Sequence, residues 1–581
     1  MIRKSRRRSR IWPVWLLLLL VLAAASLIAY FLLGGKGDRG LENGDKGRQN
    51  GADLEAVDRI LQEMTLEEKI GQVIIAYFQG PTFGPAAAEK LRELPLGGVI
   101  LFSSAGNIES PRQVAELTAQ IQEAARSSGV LPLFIAVDQE GGAVARFTEG
   151  VTVFPGNMAL GAAGSEELAR RSAAITAREL RLMGINFNFA PVVDVNNNPD
   201  NPVIGVRSFG SNPREVARLG RAMLEPCRRE KVVATAKHFP GHGDTDVDSH
   251  YGLPLIPFDL SRLRELELLP FQAMIDGGVP AVMVGHLLVP QLTGSYELPA
   301  SLSPQAIRYL REEMGFDGLV VSDSMSMGAI TGRWGLEEAA VKAFQAGVDL
   351  ILFGPWIGVE PGDCQRIFKA LKGAVEEGTI APERLDQSVR RILAVKMEYG
   401  LLENPLPRRE RLSELASPEN LELARRIARE SVTLVRDNAS LIPLSPREAL
   451  PLIWPAELES SLSPLTGECP FLQPHLLPLR PSEAERAALL EALSDAPLVL
   501  AGTYNLRQYP AWTDLLNALA EEKELVLLAL SSPYDILAVP GADTCLCTYS
   551  SIDPSLQALG EVLSGAVAPR GRLPVELPGL E

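Results

Sequence analysis

The chain has 581 residues, a hydrophobic fraction of 46% and a net charge of −16, and its only basic block lies at the extreme N-terminus. This length exceeds one ordinary domain, and the apolar content is ample for more than one core. The acidic balance argues against a nucleic-acid-binding protein, which would carry a basic face for the phosphates. The cysteines, at positions 227, 364, 469, 545 and 547, are too scattered to predict a disulfide framework or a zinc site.

The N-terminal segment predicts a membrane anchor. Residues 1–10 contain six Lys or Arg and no acid, and residues 11–33 carry no charge, a run long enough to span a bilayer. A cleavable signal peptide is the alternative, but the apolar run continues well past the small residues at 23–26, which favours an uncleaved signal-anchor. The basic tail stays in the cytoplasm, so we expect a single-pass cell-membrane protein whose remaining chain is extracytoplasmic, or secreted if the segment is cleaved.

Residues 34–52 are rich in Gly and charged residues, which is typical of a flexible linker. From residue 53 to residue 403, short apolar runs alternate with longer amphipathic stretches. Eight such runs occur, at 72–76, 98–102, 133–137, 186–190, 232–236, 281–284, 318–321 and 349–353. Strand–helix alternation of this kind predicts a parallel sheet covered by helices, and eight units predict an α/β fold of the TIM-type (β/α)8 barrel class.

Polar residues recur at or just past the ends of the predicted strands. These residues are Asp138, Asp194, Lys237, His238, His286 and Asp323. In a parallel barrel, the carboxyl ends of the strands meet at one face, which is where catalytic groups lie. The sequence therefore predicts an active site at that face.

The loop after the fifth predicted strand, residues 237–250, contains three of the five histidines and three aspartates. Asp248 precedes His250 by two residues, so its carboxylate is placed to orient the imidazole and hold its proton. A carboxylate–imidazole pair of this kind is typical of a general acid/base.

Asp323 lies two residues past the apolar run 318–321. A carboxylate in this position is a nucleophile, a base or a helix cap. Together with a proton donor on a neighbouring loop, it provides the two groups of a retaining glycosidase, in which a carboxylate attacks the anomeric carbon while the donor protonates the leaving oxygen.

The rest of the chain predicts a second domain. Prolines and a charged helix favour a connector over residues 404–440, and residues 441–581 repeat strand–helix alternation on a smaller scale. The runs 498–501 and 525–529 predict buried strands of an open α/β sandwich, and Cys545 and Cys547 alternate in another apolar run. His475 lies beside a proline, where we expect a loop.

Four segments carry a resemblance to a known family. They are Lys237–Gly243 with Asp248–His250, Val137–Gly142 with Arg146, Pro191–Val195 through Gly205–Gly210, and Ser322–Met325. In this order they resemble glycoside hydrolase family 3, in particular its bacterial β-N-acetylglucosaminidase branch. The resemblance covers residues 54 to about 400 strongly, and the C-terminal part more loosely through Pro569–Pro574.

The resemblance implies a role for each matched position and no cofactor or metal. Asp323 matches the nucleophile, and His250, paired with Asp248, matches the acid/base. The residues that match terminal-sugar ligands are Asp138, Arg146, Arg207, Lys237 and His238. The implied substrate is a carbohydrate with terminal β-linked N-acetylglucosamine, such as a peptidoglycan (GlcNAc–MurNAc) or muropeptide fragment. Two positions depart from the family pattern, Ala143 where Arg is common and Ser324 where an acid is frequent.

Four alternatives stay open. A β-glucosidase-type or a phosphorolytic enzyme of the same family would share these motifs, and a neutral imidazole would not repel an incoming phosphate. A non-catalytic cell-wall sugar-binding protein would not need both Asp323 and His250. A metal-dependent hydrolase would fit the His and Asp residues, but Lys237 would place a positive charge beside the metal.

Overall fold

The computed structural model describes residues 55–444 and 449–579. Residues 55–63 are helical and belong to a unit of their own. The predicted tail, anchor and linker at 1–10, 11–33 and 34–52 lie outside the described residues. In the part of the chain that is described, no helix is both long enough and apolar enough to cross a membrane.

Eight parallel strands form a TIM-type barrel, in agreement with the prediction. The strands are β1 Ile74–Tyr77, β2 Gly98–Ile100, β3 Phe134–Val137, β4 Phe187–Asn188, β5 Val233–Phe239, β6 Ala281–Val284, β7 Leu319–Ser322 and β8 Ile351–Phe353. Their order in the sheet is β7-β6-β5-β4-β3-β2-β1-β8. The ring closes between β7 and β8, where the Ser322 N–H donates to the Leu350 carbonyl at 3.0 Å and the Leu350 N–H donates to the Val320 carbonyl at 3.0 Å.

Helices surround the barrel, and several begin at polar caps. Ser110, Ser165, Asn212 and Asp259 each accept a hydrogen bond from a first-turn N–H, which satisfies a donor that the helix leaves free. The helices are α1 Leu66–Gln72, α2 Pro85–Glu93, α3 Pro111–Ser127, α4 Asn157–Ala163, α5 Glu166–Leu182, α6 Pro213–Ala222, α7 Leu224–Arg229, α8 Leu260–Glu265, α9 Leu268–Asp276, α10 Pro290–Thr293, α11 Pro304–Arg308, α12 Gly328–Thr331, α13 Leu336–Ala346, α14 Cys364–Glu376 and α15 Pro382–Glu398.

A second, six-stranded sheet follows. Its strands are β9 Thr433–Asp437, β10 Leu450–Pro455, β11 Leu472–Leu477, β12 Leu498–Thr503, β13 Glu524–Ala529 and β14 Thr544–Cys547, in the order β11-β10-β12-β13-β14-β9. The helices of this part are α16 Pro418–Ser431, α17 Ser463–Glu468, α18 Glu483–Ala492, α19 Pro510–Glu522, α20 Asp535–Ala538 and α21 Asp553–Leu563. Buried apolar clusters lie on both faces of the sheet, as an open α/β sandwich requires.

Two expectations for this region need correction. The segment 404–440 is not only a connector, because β9 pairs antiparallel with β14 and so forms an edge of the second sheet. His475 lies in β11, where it is paired with Ile453 of β10, and not in a loop. Its strand is at the other edge of the sheet, where exposed side chains and a proline are tolerated.

The barrel and the second domain share an apolar core. Met158, Ala159 and Ala162 of α4 are buried in the same cluster as Trp512 and Val575. The end of the chain returns to this helix and to the loop before α6. There the Arg572 N–H donates to the Ala162 carbonyl at 3.0 Å, and the Ser211 N–H donates to the Pro574 carbonyl at 2.9 Å.

The shared core predicts that the two domains stabilise one another. Met158→Ala removes a fully buried side chain from the shared cluster, and we expect it to reduce the free energy of unfolding by about 2–5 kcal/mol. Thermal and denaturant unfolding measure this loss. Leu406→Ala, at a partly exposed position, is the control and leaves stability nearly unchanged; equal midpoints for wild type and Met158→Ala would contradict the prediction.

Candidate active site

A cavity of about 310 Å³, the active-site cavity, opens at the carboxyl ends of the barrel strands. Seven of the eight residues predicted from the sequence line it. They are Asp138, Arg146, Arg207, Lys237, His238, His250 and Asp323. Asp248, the eighth, lies behind His250 and contacts it. Strands and loops that are far apart in the sequence thus bring the predicted residues together.

Alternating charges cross one wall of this cavity. Lys237, at 2% side-chain exposure, donates through Nζ to Asp138 Oδ1 at 2.9 Å and lies 2.7 Å from Glu140 Oε1. Glu140 also accepts two hydrogen bonds from Arg207, both 2.8 Å long, which is a bidentate pair. At the other end, Arg146 lies 3.4 Å from Asp138 Oδ2.

Each charged side chain of this wall keeps its neighbour ionised. Burial alone would raise the pKa of Glu140, but the charges of Arg207 and Lys237 outweigh burial and hold its pKa far below the usual range. Burial alone would likewise lower the pKa of Lys237, but Asp138 and Glu140 outweigh it and raise that pKa. A cationic Lys237 therefore persists in the interior.

A second buried carboxylate, Asp194 after β4, orients His238. It accepts hydrogen bonds from His238 Nδ1 at 2.7 Å and from the backbone N–H groups of His238 and His242 at 3.1 and 2.7 Å. Because an ionised carboxylate only accepts, Nδ1 of His238 carries the proton. Its Nε2 then accepts from Arg207, at 3.4 Å.

The loop after β5 carries the Asp248–His250 pair. Nδ1 of His250 lies 2.7 Å from Asp248 Oδ1, and the His250 backbone N–H donates to the same oxygen at 2.8 Å. His242 stabilises this loop from within, through hydrogen bonds of 2.8 Å to Thr245 and to Ser249. The hydrogen bond that His250 donates to Asp248, helped by the charge of Asp323, outweighs burial and raises the pKa of His250.

Asp323 lies at the end of β7 as an ionised carboxylate. Burial would raise its pKa, but the imidazoles of His286, His238 and His250 and the Ser324 N–H, which donates to Oδ1 at 2.7 Å, lower it to about 2. His286 is fully buried and contacts the Ser324 carbonyl at 3.0 Å. The Ser324 hydroxyl accepts from the Gly354 N–H at 3.1 Å, which ties the loop after β7 to the end of β8.

Two residues of the site were not predicted from the sequence, Glu140 and Trp356. Glu140 lies two residues after Asp138 in the quoted Val137–Gly142 segment, so the segment itself held the signal. Trp356, which stacks on the His250 ring with centroids 5.8 Å apart and planes at 18°, comes from a turn after β8 that carries no polar motif. Only the closed barrel places it beside the β5 loop.

A larger cavity of about 990 Å³, the interdomain cavity, lies next to this site. Residues 199–207 of the barrel and 504–508 and 531–538 of the second domain contribute to its lining, as does Ala143. It shares Val203 and Arg207 with the active-site cavity. Asp323, His250 and Asp248 do not line it. In the described chain, no group of three or more His, Cys, Asp or Glu side chains is placed to hold a metal ion.

Comparison with known proteins identifies the family of this chain. Residues 65–395 match the model described as Glycosyl hydrolase family 3 N terminal domain. Beta-hexosaminidase A of Pseudoalteromonas piscicida is 32% identical over 85% of this chain and 91% of its own length. A beta-N-acetylglucosaminidase/beta-glucosidase of Cellulomonas fimi is 29% identical over 89% of this chain and 94% of its own. The solved structure of a glycoside hydrolase family 3 beta-N-acetylglucosaminidase from Paenibacillus sp. is 38% identical, with a TM-score of 0.81 over 88% of this chain and 99% of that chain.

The buried charges predict a severe effect of Glu140→Gln. The change leaves Lys237 and Arg207 with one carboxylate fewer and brings an amide N–H against a cation. Loss of one partner from a buried ion pair reduces stability by about 3–5 kcal/mol. We expect this loss in denaturant unfolding, together with a higher KM because Arg207 loses its bidentate partner.

Glu149→Gln is the matched control, since Glu149 is an exposed glutamate nine residues further along the chain. It removes the same charge without breaking a buried pair. Glu140→Gln with wild-type stability and KM would mean that the ion pairs of Glu140 with Lys237 and Arg207 neither stabilise the fold nor position Arg207.

Proposed function

Because the chain belongs to glycoside hydrolase family 3 and is a glycosidase, we propose that it removes terminal β-linked N-acetylglucosamine by a retaining mechanism. The observation that carries the proposal is the placement of an ionised Asp323 and the Asp248-held His250 on the wall of one cavity. The relatives named beta-hexosaminidase and beta-N-acetylglucosaminidase support the choice of sugar.

In the first step, an Asp323 carboxylate oxygen attacks the anomeric carbon of the terminal sugar. The bond from that carbon to the leaving oxygen breaks, and its electron pair goes to the oxygen. Since Nδ1 of His250 is held by Asp248, Nε2 is the nitrogen that donates the proton. The products are a glycosyl ester of Asp323, a neutral His250 and the released alcohol.

In the second step, Nε2 of the neutral His250 removes a proton from water as the water oxygen attacks the same carbon. The ester bond breaks, Asp323 regains its charge, and His250 is again protonated. Asp248 stabilises the imidazolium in both steps. Asp138, Arg146, Arg207, Lys237 and His238 are proposed to hold the terminal sugar, with Lys237 acting through the two carboxylates that it contacts.

The pKa shifts define the pH range of this mechanism. Asp323 has a lowered pKa of about 2, so it stays ionised until the solution is strongly acidic. The pKa of His250 is raised, so the proton needed for the first step persists to higher pH than in a free imidazole. Activity on poor leaving groups is therefore lost as the pH rises through the pKa of His250.

For the natural substrate we propose peptidoglycan fragments that end in GlcNAc–MurNAc. The family resemblance and the predicted extracytoplasmic location support this choice. Phosphorolysis by the same residues is the second candidate, because a neutral His250 would not repel phosphate as a carboxylate would. Product analysis with and without phosphate separates a free sugar from a sugar phosphate.

His250→Ala tests the mechanism. A disaccharide leaving group needs the proton, whereas a dinitrophenolate leaves without it. We expect disaccharide cleavage to fall by about 10²–10⁴-fold while the first step on dinitrophenyl β-GlcNAc is spared. The glycosyl-Asp323 ester then accumulates and is detectable by mass spectrometry.

Asp323→Asn is the control and abolishes turnover of both substrates in a folded protein. Equal damage to both substrates by His250→Ala would assign His250 to sugar binding instead of proton transfer. Asp248→Asn should show the His250→Ala pattern in milder form, since it weakens the orientation of the ring without removing it.

For the location, we propose that residues 11–33 anchor the enzyme with its barrel outside the cytoplasm. Membranes washed with high salt should retain the native protein, and detergent should release it. Release by salt alone, with the N-terminus intact, would contradict the anchor.

A further inference from the structure

Exposed apolar side chains gather around the mouth of the barrel. Among the described residues, the large apolar side chains with the greatest exposure include Ile357 at 88%, Tyr251 at 75% and Tyr296 at 67%. Ile357 and Tyr251 lie on loops that directly follow barrel strands, after β8 and β5 respectively, whereas Tyr296 lies beyond α10. Apolar surface concentrated beside a polar cavity is typical of a binding site.

Tyr251 and Trp356 form a continuous aromatic surface at this mouth. Trp356 contacts the His250 ring on one side, and its centroid lies 5.8 Å from that of Tyr251, at 57°. Trp356 also lines the active-site cavity, whereas Tyr251 lies outside it. The surface therefore runs from the acid/base outward to solvent.

The turn that carries Trp356 is held firmly. The Trp356 carbonyl accepts a hydrogen bond from the Val359 N–H at 3.1 Å. The Val359 carbonyl accepts one from the hydroxyl of Tyr77, a buried residue of β1, at 2.8 Å. A Cβ on Gly328 would come within 3.1 Å of the His250 carbonyl and 3.6 Å of the Trp356 indole nitrogen. Three loops thus meet closely here, so the aromatic surface is formed before a ligand arrives.

The direction of proton transfer identifies what this surface binds. His250 delivers its proton to the oxygen that joins the terminal sugar to the leaving group, so the leaving group lies on the His250 side of the broken bond. The next ring along the substrate is then adjacent to Trp356 and Tyr251. Large rigid aromatic rings provide apolar contact area at low entropic cost, which suits the C–H face of a pyranose.

We propose that Tyr251 and Trp356 form the subsite for the leaving-group sugar, a pyranose that packs against both rings. The inference rests on the proposed role of His250 as proton donor. Tyr251 contributes binding alone, whereas Trp356 also positions the His250 ring by stacking on it.

The test compares kcat/KM of the wild-type enzyme and its variants on two substrates. These are a GlcNAc-β-1,4-GlcNAc disaccharide and methyl β-GlcNAc. Both leaving groups are alkoxides that need the proton, but only the disaccharide has a second ring. For Tyr251→Ala we expect kcat/KM to fall about 5-fold on the disaccharide and to be unchanged on the methyl glycoside. Trp356→Ala should slow both substrates, and Trp356→Phe should restore much of the loss.

Tyr296→Ala is the matched control, a tyrosine of similar exposure beyond α10, outside the surface formed by Tyr251 and Trp356, and it should change neither substrate. Equal loss on both substrates in Tyr251→Ala, or no loss on either, would overturn the subsite. Failure of the acid/base assignment gives a different result, equal loss on dinitrophenyl and disaccharide substrates in His250→Ala.

Discussion

A buried ammonium group, that of Lys237, sets the main constraint on this site. An isolated charge in the interior is unfavourable by several kcal/mol, so Lys237 requires Asp138 and Glu140 as partners, and these carboxylates in turn require Arg146 and Arg207. Lys237 lies on β5. Asp138, Glu140 and Arg146 lie on the loop after β3, and Arg207 lies on the loop after β4. One lysine on β5 therefore links the loops after β3 and β4 and fixes the wall on which the terminal sugar is proposed to lie.

The barrel was predictable because parallel strands buried on both faces appear as continuous apolar runs. All eight predicted runs overlap strands, and polar residues such as Asp138, Asp194 and Asp323 mark their ends. Since those ends converge in a closed barrel, knowledge of the strands was sufficient to gather Asp138, Lys237, His238 and Asp323 around one cavity. Arg146 and Arg207 were assigned through the family resemblance. The Asp248–His250 contact was also predictable, because two residues in one short loop cannot lie far apart.

Contacts between distant segments were not predictable in this way. Trp356 is near His250 only because the loops after β5 and β8 lean toward each other across the mouth. Met158 resembles any helix residue in the sequence, yet it is buried against the second domain. The strand β9 lies within the segment expected as a connector. Its pairing was not predictable because its partner, β14, is more than one hundred residues away. Each of these features depends on tertiary packing between distant segments, which a local sequence pattern does not report.

The balance of charge explains why an imidazole suits the proposed acid/base position. The walls carry the carboxylates of Asp138, Glu140 and Asp323, and the cations of Arg146, Arg207 and Lys237 are already engaged with Asp138 and Glu140. A carboxylic acid in place of His250 would become a further anion on donating its proton, and the charge of Asp323 would oppose its ionisation beforehand. In the proposed first step, His250 instead changes from cation to neutral as Asp323 changes from anion to ester. The step thus removes one anion from the site, whereas a carboxylic acid donor would leave the number of anions unchanged.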